Sequence, residues 1–110
     1  MSGATAGRML DKLTRADFAD RLGQTFRVHY GAATPLEAEL VSATAFPTRP
    51  GGPDLPARSE PFSILFRGPR TPVLPQRIYR IEHETLGTFD LFIVPVGPDA
   101  GGMQYEAVFN

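Results

Sequence analysis

The two histidines and the acidic residues near them are the first candidates for chemistry in this sequence. His29 lies in an alternating segment, and His83 stands between Glu82 and Glu84. A zinc site needs three or four ligands in a closed geometry, and neither histidine has enough suitably spaced ligand residues. We expect both histidines to be solvated strand residues, and we predict no metal and no cofactor.

Two pairs of carboxylates are each spaced by two residues, Glu37 with Glu39 and Glu82 with Glu84. In a strand, this spacing places both members on one face. A glycosidase-like acid and base would lie about 5–10 Å apart across a cleft, and one of them would have a raised pKa. Each carboxylate has a cationic or polar neighbour on the strand expected beside it, so we interpret both pairs as solvated.

Other kinds of catalytic or ligand-binding site find little support. Ser42, Ser59 and Ser63 lack a nucleophile-elbow context. The glycine-rich run from Gly97 to Gly102 is followed by a strand and has no Lys, unlike a phosphate loop, and we interpret it as a hairpin turn. There is no Cys, which excludes disulfides and thiolate ligands. We predict no catalytic residue and no enzyme activity.

Charge and hydropathy limit the classes of partner. The net charge is −1, without the basic excess of a non-specific nucleic-acid binder. The longest apolar run, Leu91 to Val96, is too short to cross a bilayer, and Met1 to Gly7 lacks the order of a signal peptide. We expect no nucleic-acid or membrane partner, and a cytoplasmic location or incorporation into a particle assembled in the cytoplasm.

The chain is long enough for one domain and too short for two of ordinary size. Residues 1–8 are small and polar and predict a disordered tail, so we expect a single β-rich domain over residues 9–110.

A short helix is expected at the start of this domain. Thr14 is a suitable N-cap and Asp17 suits the first turn, while Gly23 can take the left-handed conformation that ends a helix. We therefore predict a helix from Arg15 to Leu22, with Phe18 and Leu22 on the face that covers a sheet.

From Gln24 onward the apolar pattern has a period of two, as in strands. The first two segments predict a hairpin with Tyr30 opposite Leu36. On its outer face this register pairs His29 with Glu37 and Arg27 with Glu39. Apolar and charge patterns agree on this register.

A second hairpin is predicted from Ile78 to His83 and from Gly87 to Val96. Gly87 suits the left-handed position of its loop, and the register places Tyr79 opposite Leu91, Ile81 opposite Phe89 and Arg80 opposite Asp90. Residues Leu91 to Val94 are apolar on both faces, which predicts a strand covered on both sides, with the helix over the second face.

With one strand from Phe62 to Phe66 and a last one from Met103 to Phe109, the count is six strands. Short connections favour antiparallel pairing. The sequence predicts a mainly β fold, an antiparallel barrel or roll of about six strands with one short N-terminal helix. An open sheet with the helix on one face is the alternative. The conspicuous aromatic residues fall at strand period and are expected in the core.

The segment 47–60 is rich in Pro and predicts a long irregular loop. Loops of this length are often functional. Arg49, Leu55 and Arg58 project from it, and Arg67 and Arg70 flank a second Pro-rich link. These five residues are the predicted partner-binding surface.

Several segments carry a resemblance to a known family. They are Leu10 to Thr14 with Phe18, Leu22 to Phe26, Pro61 to Pro69, Leu74 to Gln76 with Tyr79, and Phe92 to Asn110. In these the chain from Leu10 to Asn110 resembles a family of small bacterial proteins, a domain of unknown function. The resemblance implies a gene neighbourhood with phage-tail-like (tail collar) proteins, and hence an accessory role in a tail-like assembly.

Three functional hypotheses follow. The preferred one is a non-enzymatic structural or protein-interaction module, an accessory component of a phage-tail-like assembly or a self-associating protein. The alternative is a β-barrel that binds a small ligand in its mouth. The least favoured hypothesis is a carboxylate-dependent hydrolase built on Glu82, Glu84 and Arg.

Overall fold

The computed structural model describes residues 13–46 and 61–109. Within them lie one helix and six strands: α1 Arg15–Ala19, β1 Thr25–His29, β2 Leu36–Ala45, β3 Phe62–Gly68, β4 Arg77–His83, β5 Gly87–Asp99 and β6 Gly102–Phe109. The predicted tail at 1–8 and the predicted loop at 47–60 lie outside the described residues, as do Arg49, Leu55 and Arg58.

The six strands form a closed antiparallel barrel in the order β1-β2-β3-β6-β5-β4. The predicted fold class is confirmed, and the barrel closes where β1 pairs with β4. Closure satisfies the strand edges that an open sheet would leave unpaired.

The barrel interior is filled by side chains from alternate positions of every strand. On β3, for example, Phe62, Ile64 and Phe66 are buried while Ser63 and Leu65 are only partly covered. Eight of the eleven aromatic residues are buried. Phe92 and Phe46 are exposed and Tyr30 is only partly covered, so the prediction of a core position is wrong for Phe92 and only partly right for Tyr30.

The β4–β5 hairpin has the predicted register. Tyr79 pairs with Leu91, Ile81 with Phe89 and Arg80 with Asp90. Gly87 has a φ of 86°, the left-handed conformation that its loop position requires.

The β1–β2 hairpin differs from the predicted register by two residues. Val28 pairs with Leu36, and Arg27 pairs with Glu37 in place of Glu39. A shift of two keeps every side chain on its face, so the sequence pattern does not distinguish the two registers. Backbone hydrogen bonds from Gly23 N–H to Leu40 and from Leu40 N–H to Gln24 hold the observed one.

The helix begins as predicted but ends early. Thr14 and Asp17 form a reciprocal capping box. The helix ends at Ala19 because the Arg21 amide bonds the Phe18 carbonyl, while the Arg21 guanidinium donates to the Asp17 carbonyl. Leu22 is therefore 49% exposed, and its predicted place on the buried face is wrong.

The helix closes one end of the barrel through a single aromatic side chain. Phe18 is fully buried, and its ring centroid lies 5.4–6.3 Å from those of four phenylalanines from different strands. They are Phe26, Phe62, Phe89 and Phe109. The helix packs against β2 and β3, so the prediction that it covers the outer face of β5 is wrong.

At the far ends of the strands, the link 69–76 lies across the barrel. Leu74 is buried, and its backbone N–H donates to the Tyr105 hydroxyl at 2.9 Å. The Tyr79 hydroxyl donates to the Pro75 carbonyl at 2.6 Å. Two buried tyrosines thus fix a link that has no regular structure of its own.

The predicted turn at Gly97 to Gly102 is shorter in the structure. Strand β5 continues to Asp99, and β6 already begins at Gly102. A register shift between Pro95 and Gly97 lets the ladder pass Pro95, which has no N–H to donate.

Replacement of Phe18 with Ala is expected to lower the free energy of unfolding by about 3–5 kcal/mol, because it leaves a cavity among four aromatic rings. Chemical denaturation measures this. The matched control Phe92→Ala removes a half-exposed ring and is expected to cost about 1 kcal/mol. Equal losses in the two variants would contradict the role of Phe18 as the closure of the barrel.

Candidate functional site

The predicted partner-binding arginines Arg67 and Arg70 meet at the β5–β6 turn. Arg67 forms a two-pronged ion pair with Asp99, with Nη2 2.7 Å and Nε 3.0 Å from Oδ2. Arg70 donates to the Asp99 main-chain carbonyl at 2.8 Å. Glu39 lies 3.8 Å from Arg67. Both arginines are thus engaged with the barrel itself.

Asp99 organises the turn from its centre. Its Oδ1 accepts the backbone N–H groups of Gly101 and Gly102 at 2.8 and 2.9 Å, and its Oδ2 accepts Gln104 Nε2 at 2.8 Å. The hydrogen bond from Arg67 is the main cause that lowers the pKa of the Asp99 carboxyl, and the Gly101 and Gly102 amides add to it. The carboxylate is therefore ionised and fully engaged in this turn.

Gly102 lets the turn approach the end of β3 closely. Its φ is 150°, and a Cβ placed there would lie 2.1 Å from the Gly68 carbonyl oxygen. That oxygen belongs to the backbone of a barrel strand, so it cannot move aside without disturbing the ladder.

We expect Gly102→Ala to lower the free energy of unfolding by about 3 kcal/mol, because overpacking against backbone adds to the conformational cost. Gly31→Ala is the control. Gly31 also has a left-handed φ, of 97°, but open space around it, so only the conformational cost of about 1–2 kcal/mol applies. Thermal unfolding compares them, and a smaller effect at position 102 than at 31 would contradict the close approach.

His83 is buried, and the prediction that it is solvated is wrong. It is 3% exposed, and its ring lies 4.4 Å from that of Phe26. Its Nδ1 accepts the backbone N–H groups of Thr85 and Leu86, which leaves the proton on Nε2 to bond the Gln24 amide oxygen at 2.7 Å. His83 is in phase with the inward residues of β4, and that period was the signal for its burial.

Burial is the first cause that lowers the pKa of His83, and nearby Arg21 lowers it further. Both ring nitrogens are engaged in holding the β4–β5 loop against β1. The neutral imidazole is therefore a structural connector in this barrel.

Stability should fall as the pH drops below about 6.5, the ordinary pKa of histidine. Because the folded-state pKa is lower, the unfolded chain takes up the proton first, and stability is lost until the pH reaches the folded-state value. His83→Asn should reduce this slope between pH 7 and 5 relative to the wild type. Urea midpoints across this range measure the slope, and an unchanged slope in His83→Asn would refute the assignment.

Glu82 lies between two partners on the outside of the β1–β4 seam. His29 Nε2 is 3.0 Å from its Oε1, and Arg27 Nη2 is 3.3 Å from its Oε2. The hydrogen bond from His29, followed by that from Arg27, lowers the pKa of Glu82. Barrel closure places β4 beside β1, and Glu82 therefore becomes the acceptor for His29 and Arg27. The hairpin register predicted Glu37 as the partner of His29 and Glu39 as the partner of Arg27.

The carboxylate-hydrolase hypothesis gains no support from this geometry. A general acid needs a raised pKa, and that of Glu82 is lowered. Glu84 is exposed in the turn, while His83 points into the core. Among residues 13–46 and 61–109, no three His, Asp or Glu side chains are grouped as a metal site would require.

The hypothesis of a ligand-binding barrel gains no support, because side chains occupy the interior in which a ligand would lie. The described interior is occupied by the buried core, which includes Phe26, Phe66 and Tyr105. Two surface grooves have volumes of about 450 and 270 Å³. The larger lies between the β1–β2 turn and the 69–76 link, with Tyr30 and Pro72 in its wall.

An apolar surface lies on the outside of the barrel, and the sequence analysis missed it. Ile78 is 64%, Phe92 50% and Val108 47% exposed. Ile78 pairs with Phe92 across β4 and β5. Extending the β5–β6 ladder by two positions from Val94 and Glu106 places Val108 on the other side of Phe92. We call these three residues the outer apolar face.

The apolar character of both faces of β5 was the signal for this surface. The helix was assigned to cover it but instead closes the barrel end. Nothing within residues 13–46 and 61–109 covers Phe92.

The fold and these surfaces define a class: a small closed antiparallel barrel whose polar clusters stabilise its turns and whose outer wall is partly apolar. The chain belongs to the family described as "Domain of unknown function (DUF6916)", which matches residues 13–109. No curated protein and no solved structure matches the chain. In the part of the chain that the structure describes, no helix has the length and apolar character needed to cross a membrane.

Proposed function

We propose that this protein is a non-enzymatic structural module that binds other protein subunits through the outer apolar face. The single observation that carries the proposal is the exposure of Ile78, Phe92 and Val108 on neighbouring strands of a barrel with a filled interior. Contiguous exposed apolar residues on a small domain mark interaction sites.

The engagement of the polar candidates supports the same function. Asp99, Glu82 and His83 each bond to groups of their own barrel. Hydrogen bonds lower the pKa of Asp99 and of Glu82, and burial lowers that of His83, so each shift favours the charge state in which the residue stabilises the fold.

The setting that we propose is a phage-tail-like particle, in which the module is an accessory component assembled in the cytoplasm. The support for this setting is the family resemblance and the gene neighbourhood that it implies. The Pro-rich segment with Arg49, Leu55 and Arg58 is the second contact that we propose for such an assembly.

A photo-crosslinking amino acid at position 92, expressed in the native host, tests the proposal. Irradiation is expected to give a discrete protein adduct that mass spectrometry identifies, because the side chain at 92 would lie inside an interface. The control carries the same probe at position 22, which is equally exposed but lies at the helix end. The absence of any adduct specific to position 92 would overturn the proposed function, and an adduct with a protein foreign to tail-like particles would overturn the proposed setting.

A further inference from the structure

We infer that the partner of the outer apolar face is a second copy of this chain, related by a two-fold axis that runs parallel to β4 and β5. The inference rests on the proposed interaction function and identifies the protein that binds the outer apolar face. It is carried by the arrangement of charges beside the apolar residues.

The outside of the β4–β5 hairpin carries two cross-strand pairs in succession. Ile78 lies opposite Phe92, and two residues further along β4 Arg80 lies opposite Asp90. Arg80 Nε is 3.5 Å from Asp90 Oδ1, and both side chains are about 60% exposed or more. The hairpin thus presents an apolar pair followed by a pair of opposite charges.

This pattern is complementary to itself under one particular rotation. A two-fold axis between the strands and parallel to them exchanges the β4 and β5 positions without changing the level along the strands. Ile78 then faces the partner's Phe92, and Arg80 faces the partner's Asp90. Isologous interfaces require such reciprocity, and here it joins apolar to apolar and cation to anion.

An axis perpendicular to the strands would not give this match, because it reverses the order of the two pairs along the strand. If Ile78 and Phe92 still met their counterparts, Arg80 and Asp90 would lie over the partner's β5 on the other side of its Phe92, where the described residues present no pair of opposite charges to meet them. The charge pattern therefore selects the axis parallel to the strands. A net charge of −1 per chain opposes association only weakly.

The size of the surface sets the strength that we expect. Stable complexes bury about 800 Å² per partner, and a narrow barrel is convex, so two walls meet over a limited area. The contact must extend from the outer apolar face over Arg80 and Asp90 and along β5 to Val96, which is 48% exposed. Because this area is small, we expect a weak dimer with a dissociation constant of ~1 µM.

Sedimentation velocity of the purified protein over a concentration series tests the inference. The wild type is expected to shift from monomer to dimer. Phe92→Ser should weaken dimerisation at least tenfold, whereas Leu22→Ser, an equally exposed apolar position, should leave it unchanged. Circular dichroism melting shows that each variant is folded.

A charge exchange tests the axis. Arg80→Glu and Asp90→Arg should each fail to dimerise alone, since each places like charges opposite each other. A mixture of the two variants should form a heterodimer, because both intermolecular pairs are restored. If the wild type dimerises through Phe92 but either charge variant still dimerises alone, or the mixture forms no heterodimer, the axis parallel to the strands is overturned.

The outcomes separate this inference from the proposed function. The protein could stay monomeric at all concentrations while position 92 crosslinks to a different protein in the host. That result would overturn the inference of a second copy as the partner and would leave the proposed function standing. If sedimentation shows no dimer and crosslinking at position 92 gives no specific adduct, both the inference and the proposed function are overturned.

Discussion

The closed hydrogen-bonded ladder is the constraint on which the rest of this structure depends. Once β1 pairs with β4, each of the six described strands has a neighbour on both sides, and every second side chain must share one narrow interior. That interior is filled from six strands and leaves two open ends. Phe18 from the helix closes one end, and Leu74, held by Tyr105, lies across the other. The helix and the link 69–76 are therefore parts of the core, although neither belongs to the sheet.

The sequence predicted what depends on the period of two. The six strands, the inward residues and the register of the β4–β5 hairpin follow from alternation and from a loop with Gly87 at its left-handed position. The β1–β2 register did not follow, because a shift of two residues changes no face. The Gly23 and Leu40 backbone bonds extend the observed register beyond β1, and bonds between backbone groups leave no mark in the side-chain pattern.

The polar contacts were less predictable, since they depend on which strands become neighbours. His29 and Arg27 meet Glu82 only because the barrel closes. Asp99 lies within the predicted turn from Gly97 to Gly102, and its pairing with Arg67 requires β3 to lie beside β6. His83 could have been placed, because it shares the phase of Tyr79 and Ile81. Its position at a hairpin end, between two glutamates, is typical of a solvated residue and conflicts with that phase.

The seam between β1 and β4 has a consequence for how the barrel opens. Its ladder is the shortest of the six, running only from Arg27 and Glu82 to His29 and Arg80. Transient opening of a protein begins where the fewest bonds must break together. The barrel should therefore unzip at this seam, and each such event would bare Phe26 and Ile81 to water. The Arg27, His29 and Glu82 cluster spans this line from outside, so salt or acid that weakens it would quicken amide exchange there before any other strand loosens.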